Sequence, residues 1–340
     1  MRKLLKKANL RLNNQLHMEY IKPQKLKKGD KIGVVSPSNS IQGREEDFEK
    51  AKKRFKEVLG IELVAGKHAF DEYFYSAGRP EDRAADLNAL FADPQIKAIF
   101  FSTGGNTCID LVERIDYDLI RKNPKIVSGI SDGTTLLNSI TAKTGLVTFL
   151  GMEFFEFANR EMNYEFEYMK KAWFDGSVGE VKPNPDWTNF DQLPTRYGGW
   201  RTIRPGITEG RLVGGNFTCF AQLFGTPYMT ELPGNIMVVE TYQQHKKQIH
   251  RSMMQLRISG VFKNISGLVI GYCTGSDDPG KKGNDRDIKD ILLEVTEGYD
   301  FPIMEVGEIG HYVENIIIPI GGQARLNAEE KKIEILEVAE

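Results

Sequence analysis

Ser131 is the residue of this sequence whose surroundings best fit nucleophilic chemistry. It lies in the segment Gly-Ile-Ser-Asp-Gly (residues 129–133), where a short apolar stretch ends and a helical pattern begins. In a G-x-S-x-G turn between a strand and a helix, the glycines relieve crowding and the hydroxyl stands clear of the sheet. Backbone N–H groups at the start of the helix would stabilise a developing oxyanion. The pattern therefore indicates a nucleophilic serine, the alternative being that Ser131 or Asp132 merely caps the helix.

A serine nucleophile needs a general base, and His311 is the histidine that best fits this role. It follows Gly-Glu-Ile-Gly and precedes the strand-like residues 316–320, so we expect it on a loop between elements. Loops on a rigid scaffold often present catalytic bases, although an inert loop histidine is the alternative. The other histidines lie in the N-terminal segment, before a predicted turn, or on what we interpret as a solvated helix face: His17, His68, His245 and His250.

Glu240 is the candidate for the acid that orients this base. It ends the apolar run Ile-Met-Val-Val-Glu (residues 236–240), which predicts a carboxylate at the mouth of a buried strand. Such a group can hold an imidazole in position, and the order Ser, Glu, His along the chain is one of the recurring triad orders. The alternative is a strand-end carboxylate that faces water.

A second glycine-rich turn, Ser-Thr-Gly-Gly-Asn (residues 102–106), follows the predicted strand 96–101. Its backbone N–H groups are suited to an oxyanion hole or to a phosphate, and a plain tight turn is an equal alternative. The sequence contains neither G-x-G-x-x-G nor G-x-x-x-x-G-K-[ST], and no H-E-x-x-H zinc motif. We interpret the acidic runs 277–278 and 285–290 as solvated loops rather than calcium sites. The mechanism is thus expected to need no metal and no organic cofactor.

Strands and helices alternate over residues 32–150, which predicts a mostly parallel sheet flanked by helices. Ligands gather at the carboxyl ends of such strands, and both glycine-containing turns lie at such ends. The predicted strands are residues 32–35, 61–64, 96–101, 125–128 and 147–150, and the predicted helices are residues 45–59, 79–91, 107–114 and 134–142.

The character of the sequence changes after residue 150. Residues 154–174 are rich in aromatic and acidic side chains and are predicted to be helical, whereas residues 182–200 are polar and form a predicted connector or lid. From residue 210 the pattern is β-rich, with one helix at 248–259. The fold class is therefore α/β, with a second β-rich α+β domain. The predicted divisions are a flexible extension (1–17), an α/β domain carrying the nucleophile (18–150), a connector (151–205) and a domain carrying the acid and base (206–335).

Composition narrows the class of partner and the compartment. The formal net charge of the 340 residues is −2, so no global field attracts nucleic acid or an anionic membrane. No apolar stretch approaches the ~18 residues of a membrane span. The three cysteines, Cys108, Cys219 and Cys273, are widely spaced, which argues against a disulfide framework and favours a cytoplasmic location. Residues 1–17 are basic but lack the apolar core of a signal peptide; a surface helix on a membrane is the alternative to a frayed extension.

Several segments together give the chain a resemblance to a known family. The longest, residues 115–151, contains the Ser131 turn, and the shorter ones are residues 25–39, 83–105, 209–216 and 310–326 together with the Glu of Val-Val-Glu. In these segments the chain resembles the LD-carboxypeptidase family of serine peptidases, which also contains the microcin C immunity proteins. The resemblance implies two domains, a homodimer and a triad of Ser131, Glu240 and His311.

The same resemblance implies further site residues. The oxyanion would be held by the backbone N–H of Asp132 and by that of Gly104 or Gly105, and Asn216 would bind substrate. Typical LD-carboxypeptidases carry an arginine before the glycine pair, with a tyrosine and a further glycine after it. Here the stretch reads Ser-Thr-Gly-Gly-Asn-Thr-Cys, which is more similar to the immunity proteins. Residues 183–200 resemble the loop with which those proteins stack on an aminoacyl-nucleotide, so that Trp187 is the candidate stacking residue, or simply packs the connector.

Three functions follow as hypotheses. The first is an LD-carboxypeptidase acting on murein-derived peptides, and the second is an immunity-type amidase that cleaves aminoacyl-nucleotides. The third is a non-catalytic ligand-binding protein, which the complete set of triad residues disfavours. A leaving group with a free carboxylate would need a nearby cation, which the sequence does not identify.

Overall fold

The computed structural model describes residues 19–152, 154–161, 163–283 and 285–340. The predicted extension, residues 1–17, and His17 within it lie outside these ranges. None of the helices described has both the length and the apolar character that crossing a membrane would require.

The first domain is built on a sheet with the strand order β12-β5-β4-β3-β1-β2. Strands β1 to β5 are mutually parallel where they pair, and β12 is antiparallel to β5. Their apolar runs are buried almost throughout, as expected for parallel strands covered on both faces. The bounds are β1 Lys31–Val35, β2 Glu62–Ala65, β3 Ile96–Phe101, β4 Ile126–Gly129, β5 Thr148–Leu150 and β12 Ile318–Ile320. The predicted α/β fold class is confirmed.

The helices of this domain follow the predicted alternation with three differences. They are α1 Glu45–Arg54, α2 Pro80–Ala92, α3 Tyr117–Lys122 and α4 Gly133–Thr144. The helix expected at 107–114 is only a 3-10 turn, Cys108–Leu111. Helix α3 was not predicted; Asp116 caps it, because its Oδ1 accepts a hydrogen bond from the Leu119 N–H at 2.9 Å. The helix expected at 45–59 continues beyond Arg54 as a π-helical turn.

The second domain is built on a sheet with the strand order β6-β14-β13-β8-β9-β10-β11-β7. Its centre, β8 to β11, is parallel, and the outer strands pair antiparallel. The strands are β6 Ser177–Val181, β7 Arg201–Arg204, β8 Ile207–Asn216, β9 Ile236–Thr241, β10 Gly267–Cys273, β11 Ile303–Gly310, β13 Gln323–Asn327 and β14 Lys332–Glu337. The helices from residue 154 onward are α5 Phe154–Asn159, α6 Asn163–Lys170, α7 Phe217–Ala221, α8 Lys246–Ile258 and α9 Ile288–Val295.

Long-range pairing assigns three segments differently from the sequence pattern. Strands β6 and β7, in the predicted connector, form the two edges of the second sheet, and β12, in the predicted second domain, joins the first sheet.

The run 285–290 is not simply a solvated loop, because Asp287 caps α9 by accepting from the Lys289 N–H at 2.7 Å. The Asp287 carboxylate also forms an ion pair with Arg201, at 2.8 Å.

Helix α4 connects the two sheets at the place where chemistry is expected. It begins directly after the Ser131 turn, and its Asn138 exchanges two hydrogen bonds with the backbone of Gly214 in β8, at 2.8 and 3.1 Å. One turn earlier, Thr134 Oγ1 accepts from the Asn216 N–H at 3.0 Å. Because these bonds are buried, they hold the carboxyl end of β8 against the beginning of α4.

Candidate active site

Ser131 occupies a strained turn between β4 and α4. Its φ is +57°, a left-handed conformation that is uncommon for residues with a side chain and that recurs at functional sites. The turn needs its flanking glycines, since a Cβ on Gly129 or Gly133 would lie 2.4 or 2.9 Å from the ring of Phe101. These are the features of a nucleophile elbow, in which the serine hydroxyl is presented at the end of a strand.

The second glycine turn packs directly on this serine. A Cβ added to Gly104 would stand 2.8 Å from Ser131 Oγ and 3.6 Å from the backbone nitrogen of Asp132. Gly105 has φ +147°, and a Cβ there would meet Ser38 Oγ at 2.3 Å. The turn therefore lies beside both the hydroxyl and the Asp132 amide, and any larger residue at 104 would displace the nucleophile.

A buried polar network, which the sequence did not reveal, ties the elbow to the segment after the glycine turn. The fully buried Asp132 accepts hydrogen bonds at Oδ2 from Ser38 Oγ (2.7 Å) and from the Cys108 N–H (2.8 Å). The Thr107 N–H in turn donates to Ser38 Oγ at 3.0 Å. The Asp132 carboxylate therefore holds two segments against the Ser131 turn: the one that follows β1 and the one that follows the glycine turn. In the sequence, this network is indicated only by the polar stretch Ser-Pro-Ser-Asn after β1, which contains Ser38.

Glu240 and His311 form a buried pair on the second sheet. His311 follows the last residue of β11, and its Nδ1 lies 3.0 Å from Glu240 Oε2. Only 3% of Glu240 and 6% of His311 is exposed, so the carboxylate does not face water. The other oxygen, Oε1, accepts from Asn216 Nδ2 at 2.9 Å. Both carboxylate oxygens are thus engaged, which fixes the orientation of the imidazole ring.

Asn216 was predicted to contact substrate, but its side chain is used within the protein. Besides the bond to Glu240, its Oδ1 accepts from the Cys219 N–H at 3.3 Å and caps helix α7. The residue is 5% exposed. Its evident structural contribution is to hold the carboxylate that orients His311.

Ser131 and His311 line one cavity of about 360 Å³, together with residues 102–106. Aromatic side chains form part of its wall: the ring of Tyr242 lies 4.6 Å from that of His311, and its hydroxyl is 2.9 Å from the Tyr312 hydroxyl. The structure therefore brings the predicted nucleophile, base and glycine turn to a single concave surface large enough for a small substrate.

In the part of the chain that the structure describes, Trp187 lies outside this cavity. Its indole N–H donates to the Gly307 carbonyl at 2.9 Å. Its ring centroid is 4.5 Å from that of Tyr197 and 5.3 Å from that of Tyr272. These contacts pack the connector onto β10 and β11, the alternative that the sequence left open.

The cysteines near the site are poor candidates for the nucleophile. Burial raises the pKa of the Cys108 thiol well above its usual range, and the neighbouring Asp132 carboxylate raises it further. Burial and the same carboxylate also raise the pKa of Cys219. Both thiols stay protonated at neutral pH, and a protonated thiol is a weak nucleophile.

The other histidines that the structure describes, His68, His245 and His250, do not line the Ser131 cavity. His68 Nδ1 is 2.6 Å from Asp71 Oδ2, at a turn of the first domain. His245 directly precedes helix α8 and is half-buried, and His250 within that helix is partly exposed, with its Nε2 3.8 Å from Glu294 Oε1. Among the described residues, no group of three or more His, Cys, Asp or Glu side chains is placed to hold a metal ion.

Comparison with solved structures supports the fold. The microcin C7 self-immunity protein MccF in complex with glutamyl sulfamoyl guanosine superposes with a TM-score of 0.85, at 26% identity, over 94% of this chain and 99% of that one. An MccF-like protein from Bacillus anthracis superposes with a TM-score of 0.84, at 33% identity, over 93% of this chain and 99% of that one.

Sequence comparison leads to the same group of proteins. A putative carboxypeptidase of Treponema pallidum is 31% identical over 91% of this chain and 93% of its own length. A probable murein peptide carboxypeptidase of Bacillus subtilis is 30% identical over 91% and 92%. The models of the LD-carboxypeptidase N-terminal and C-terminal domains match residues 32–151 and 209–326. The chain therefore belongs to the LD-carboxypeptidase family of serine peptidases.

Proposed function

We propose that this protein hydrolyses an amide bond through an acyl-enzyme on Ser131, as an LD-carboxypeptidase of murein-derived peptides. One observation carries the proposal: the buried Glu240–His311 pair opens onto the same cavity as the serine of a strained elbow. A nucleophile, a base and an acid that orients the base are the three groups that serine acyl transfer requires.

In the proposed mechanism, His311 takes the Ser131 proton at Nε2 while Glu240 holds the ring through Nδ1. The serine oxygen attacks the amide carbonyl, and the oxyanion lies against the N–H groups of Asp132 and of Gly104 or Gly105. His311 then protonates the leaving amine, which departs and leaves an ester on Ser131. Water, deprotonated by His311, hydrolyses that ester and regenerates the serine.

The substrate class is the part of the proposal on which the relatives differ. Relatives over nearly the whole chain are named carboxypeptidases, one of them a murein peptide carboxypeptidase, which supports the peptide substrate. An immunity-type amidase is the second candidate, supported by the Ser-Thr-Gly-Gly-Asn turn and by the MccF complex with an aminoacyl-nucleotide analogue. A non-catalytic binding protein of the same fold is the third.

Parallel assays of two substrates test this proposal. The purified protein and its Ser131→Ala variant are incubated with a murein tetrapeptide and with an aminoacyl sulfamoyl adenosine, and release of the amine product is followed. We expect turnover of the tetrapeptide by the wild type and a loss of about 10³-fold or more in the variant. Faster cleavage of the nucleotide would assign the immunity-type activity. Inertness toward both, or turnover retained by the variant, would contradict the mechanism.

We further propose that the protein acts as a homodimer in the cytoplasm. The resemblance to dimeric family members supports the first point, and three buried free thiols, at Cys108, Cys219 and Cys273, are compatible with a reducing compartment. Sedimentation at micromolar concentration should give twice the mass of 38.5 kDa, and a monomer mass would refute the dimer.

A further inference from the structure

Arg44 is the feature of the cavity that neither the triad nor the oxyanion hole uses. It lies at the start of helix α1 and contributes to the wall of the cavity that contains Ser131 and His311. Among the described residues that line this cavity, it is the one lysine or arginine. A guanidinium here places a positive charge in the cavity wall, because arginine stays protonated at any physiological pH.

Two neighbours hold this guanidinium in place. Its central carbon lies 3.5 Å from the ring centroid of Phe155, a cation–π contact within the cavity wall. Its Nε and Nη2 both donate to Asp47 Oδ2, at 3.3 and 3.0 Å. The ring and the carboxylate together favour this position of the planar fork before any ligand arrives.

These contacts leave part of the donor capacity of Arg44 for a ligand. A guanidinium has five N–H donors, and Asp47 uses only Nε and one N–H of Nη2. No described residue is found to accept from Nη1. Both members of the pair are partly exposed, at 43% and 26% of their side chains, so the pairing is screened and weak.

Among the described residues that line the cavity there is one carboxylate, and it does not cancel this charge. Glu156 lines the same cavity, but its Oε2 is bonded to Arg160 Nε. Among the described residues of the cavity wall, Arg44 is therefore the cation that an incoming anion would meet, in competition with its partner Asp47. Bidentate pairing with the two oxygens of an anion is the geometry in which arginine differs most from lysine.

We propose that Arg44 binds an anionic oxygen group of the substrate beside the scissile amide. This inference rests on the proposed amide hydrolysis and adds the residue that recognises the charge. For a carboxypeptidase that group is the free carboxylate of the leaving amino acid; for an aminoacyl-nucleotide it is the phosphate or sulfamoyl group. Arg44 selects for the charge, whereas Ser131 and His311 act on the bond.

Binding to a catalytically silent protein tests the inference independently of turnover. In the Ser131→Ala background, dissociation constants are measured by calorimetry for a murein tetrapeptide, for its C-terminal carboxamide, and for AMP as the nucleotide probe. We expect the free carboxylate or AMP to bind at least about 10-fold more tightly than the carboxamide, the lower range for a charge-assisted hydrogen bond. Preference for the carboxylate identifies a peptide terminus, and preference for AMP identifies a nucleotide phosphate.

Two substitutions then separate Arg44 from its surroundings. Arg44→Gln should abolish the preference for the anion, and Arg44→Lys should restore it only in part. The matched control is Lys50→Gln, which removes the same charge from helix α1 and another partner of Asp47, 3.2 Å away, but lies outside the cavity wall. This control should leave all three dissociation constants unchanged.

The possible results distinguish the inference from the function on which it rests. The role of Arg44 would be overturned if neither the free carboxylate nor AMP bound more tightly than the carboxamide, if Arg44→Gln left the affinities unchanged, or if Lys50→Gln caused an equal loss. In turnover assays, where Ser131 is intact, Arg44→Gln should raise KM for the substrate with a free carboxylate by about 10-fold or more, with a smaller change in kcat. An anion preference that depends on Arg44 in a protein without any turnover would retain the inference and refute the proposed function.

Discussion

Two regions of the second sheet use a buried carboxylate in different ways. At the end of β9, Glu240 accepts from His311 and Asn216 beside a cavity of about 360 Å³. On β11, Glu308 accepts from the Asn184 N–H at 2.8 Å and from the Trp200 indole at 2.5 Å. We call the contacts of Glu308, Trp200, Tyr197 and Trp187 the connector cluster.

The connector cluster borders a much smaller space than the active-site cavity. The space between its Tyr197 and the neighbouring Tyr272 is only about 30 Å³, enough for one or two water molecules. Its donors are paired with oxygens of the protein, including the Gly307 carbonyl that accepts from Trp187. The comparison shows that burial and a charged partner do not by themselves identify a catalytic carboxylate. What distinguishes Glu240 is that its partner, His311, reaches a cavity that also contains a nucleophile.

The largest effect is expected from removing the charge of Glu240. Glu240→Gln should lower kcat/KM by about 10³- to 10⁴-fold, since the amide no longer stabilises the imidazolium of His311. The matched control is Glu308→Gln, which changes an equally buried carboxylate. For this control we expect kcat/KM within a few fold of wild type. The free energy of unfolding should fall by about 1–3 kcal/mol, because one of the buried N–H groups that donate to Glu308 would then face the NH₂ group of glutamine. Similar losses of activity in the two variants would remove the distinction between the regions.

A smaller loss of activity is expected from filling the space beside the nucleophile. The Cβ of Gly104→Ala would stand 2.7 Å from Ser131 Cβ, so the serine must move away from the oxyanion donors. We expect kcat to fall by about 10²- to 10³-fold, the effect of losing one oxyanion donor. Gly198→Ala, in the connector, is the control, because its Cβ would meet no atom within 4 Å. Unchanged kcat in Gly104→Ala would show that the turn is not part of the site.

The smallest effect is expected in the connector cluster. Trp187→Phe keeps an aromatic ring but removes the indole N–H that donates to Gly307. The free energy of unfolding, measured by urea denaturation, should fall by about 1 kcal/mol, with KM for either substrate unchanged. A higher KM for the nucleotide substrate at unchanged stability would instead assign Trp187 to substrate stacking.

The sequence predicts those parts of the fold that depend on local patterns. Apolar runs closed by turn residues predict β3 at its observed bounds, and the Ser131 turn is recognisable because strand, glycines and helix are contiguous. Strand β12 pairs with β5 across more than 160 residues, and no local pattern carries that information. Strands β6 and β7 escaped prediction for the same reason, since they form only as edges of a distant sheet.

The same distinction holds for the site: the sequence shows which residue types stand at the ends of elements, whereas only the folded structure shows which of them are in contact. Ser131, Glu240 and His311 stand at element ends, and their types suggested roles before their proximity was known. Asn216 and Asp132 act through their hydrogen-bond partners, Glu240 and Ser38, which no spacing along the chain predicts. The cation at residue 44 becomes a candidate only when helix α1 is seen to border the cavity.

Covalent labelling of the nucleophile tests the central claim, that Ser131 is activated by the Glu240–His311 pair, independently of the substrate. Wild type, Ser131→Ala and Glu240→Gln are treated with a fluorophosphonate, and the modified peptide is located by mass spectrometry. We predict a single adduct on Ser131 in the wild type, none in Ser131→Ala, and labelling of Glu240→Gln slowed by about 10²-fold or more. An adduct on another residue, or equal labelling rates in wild type and Glu240→Gln, would contradict the account.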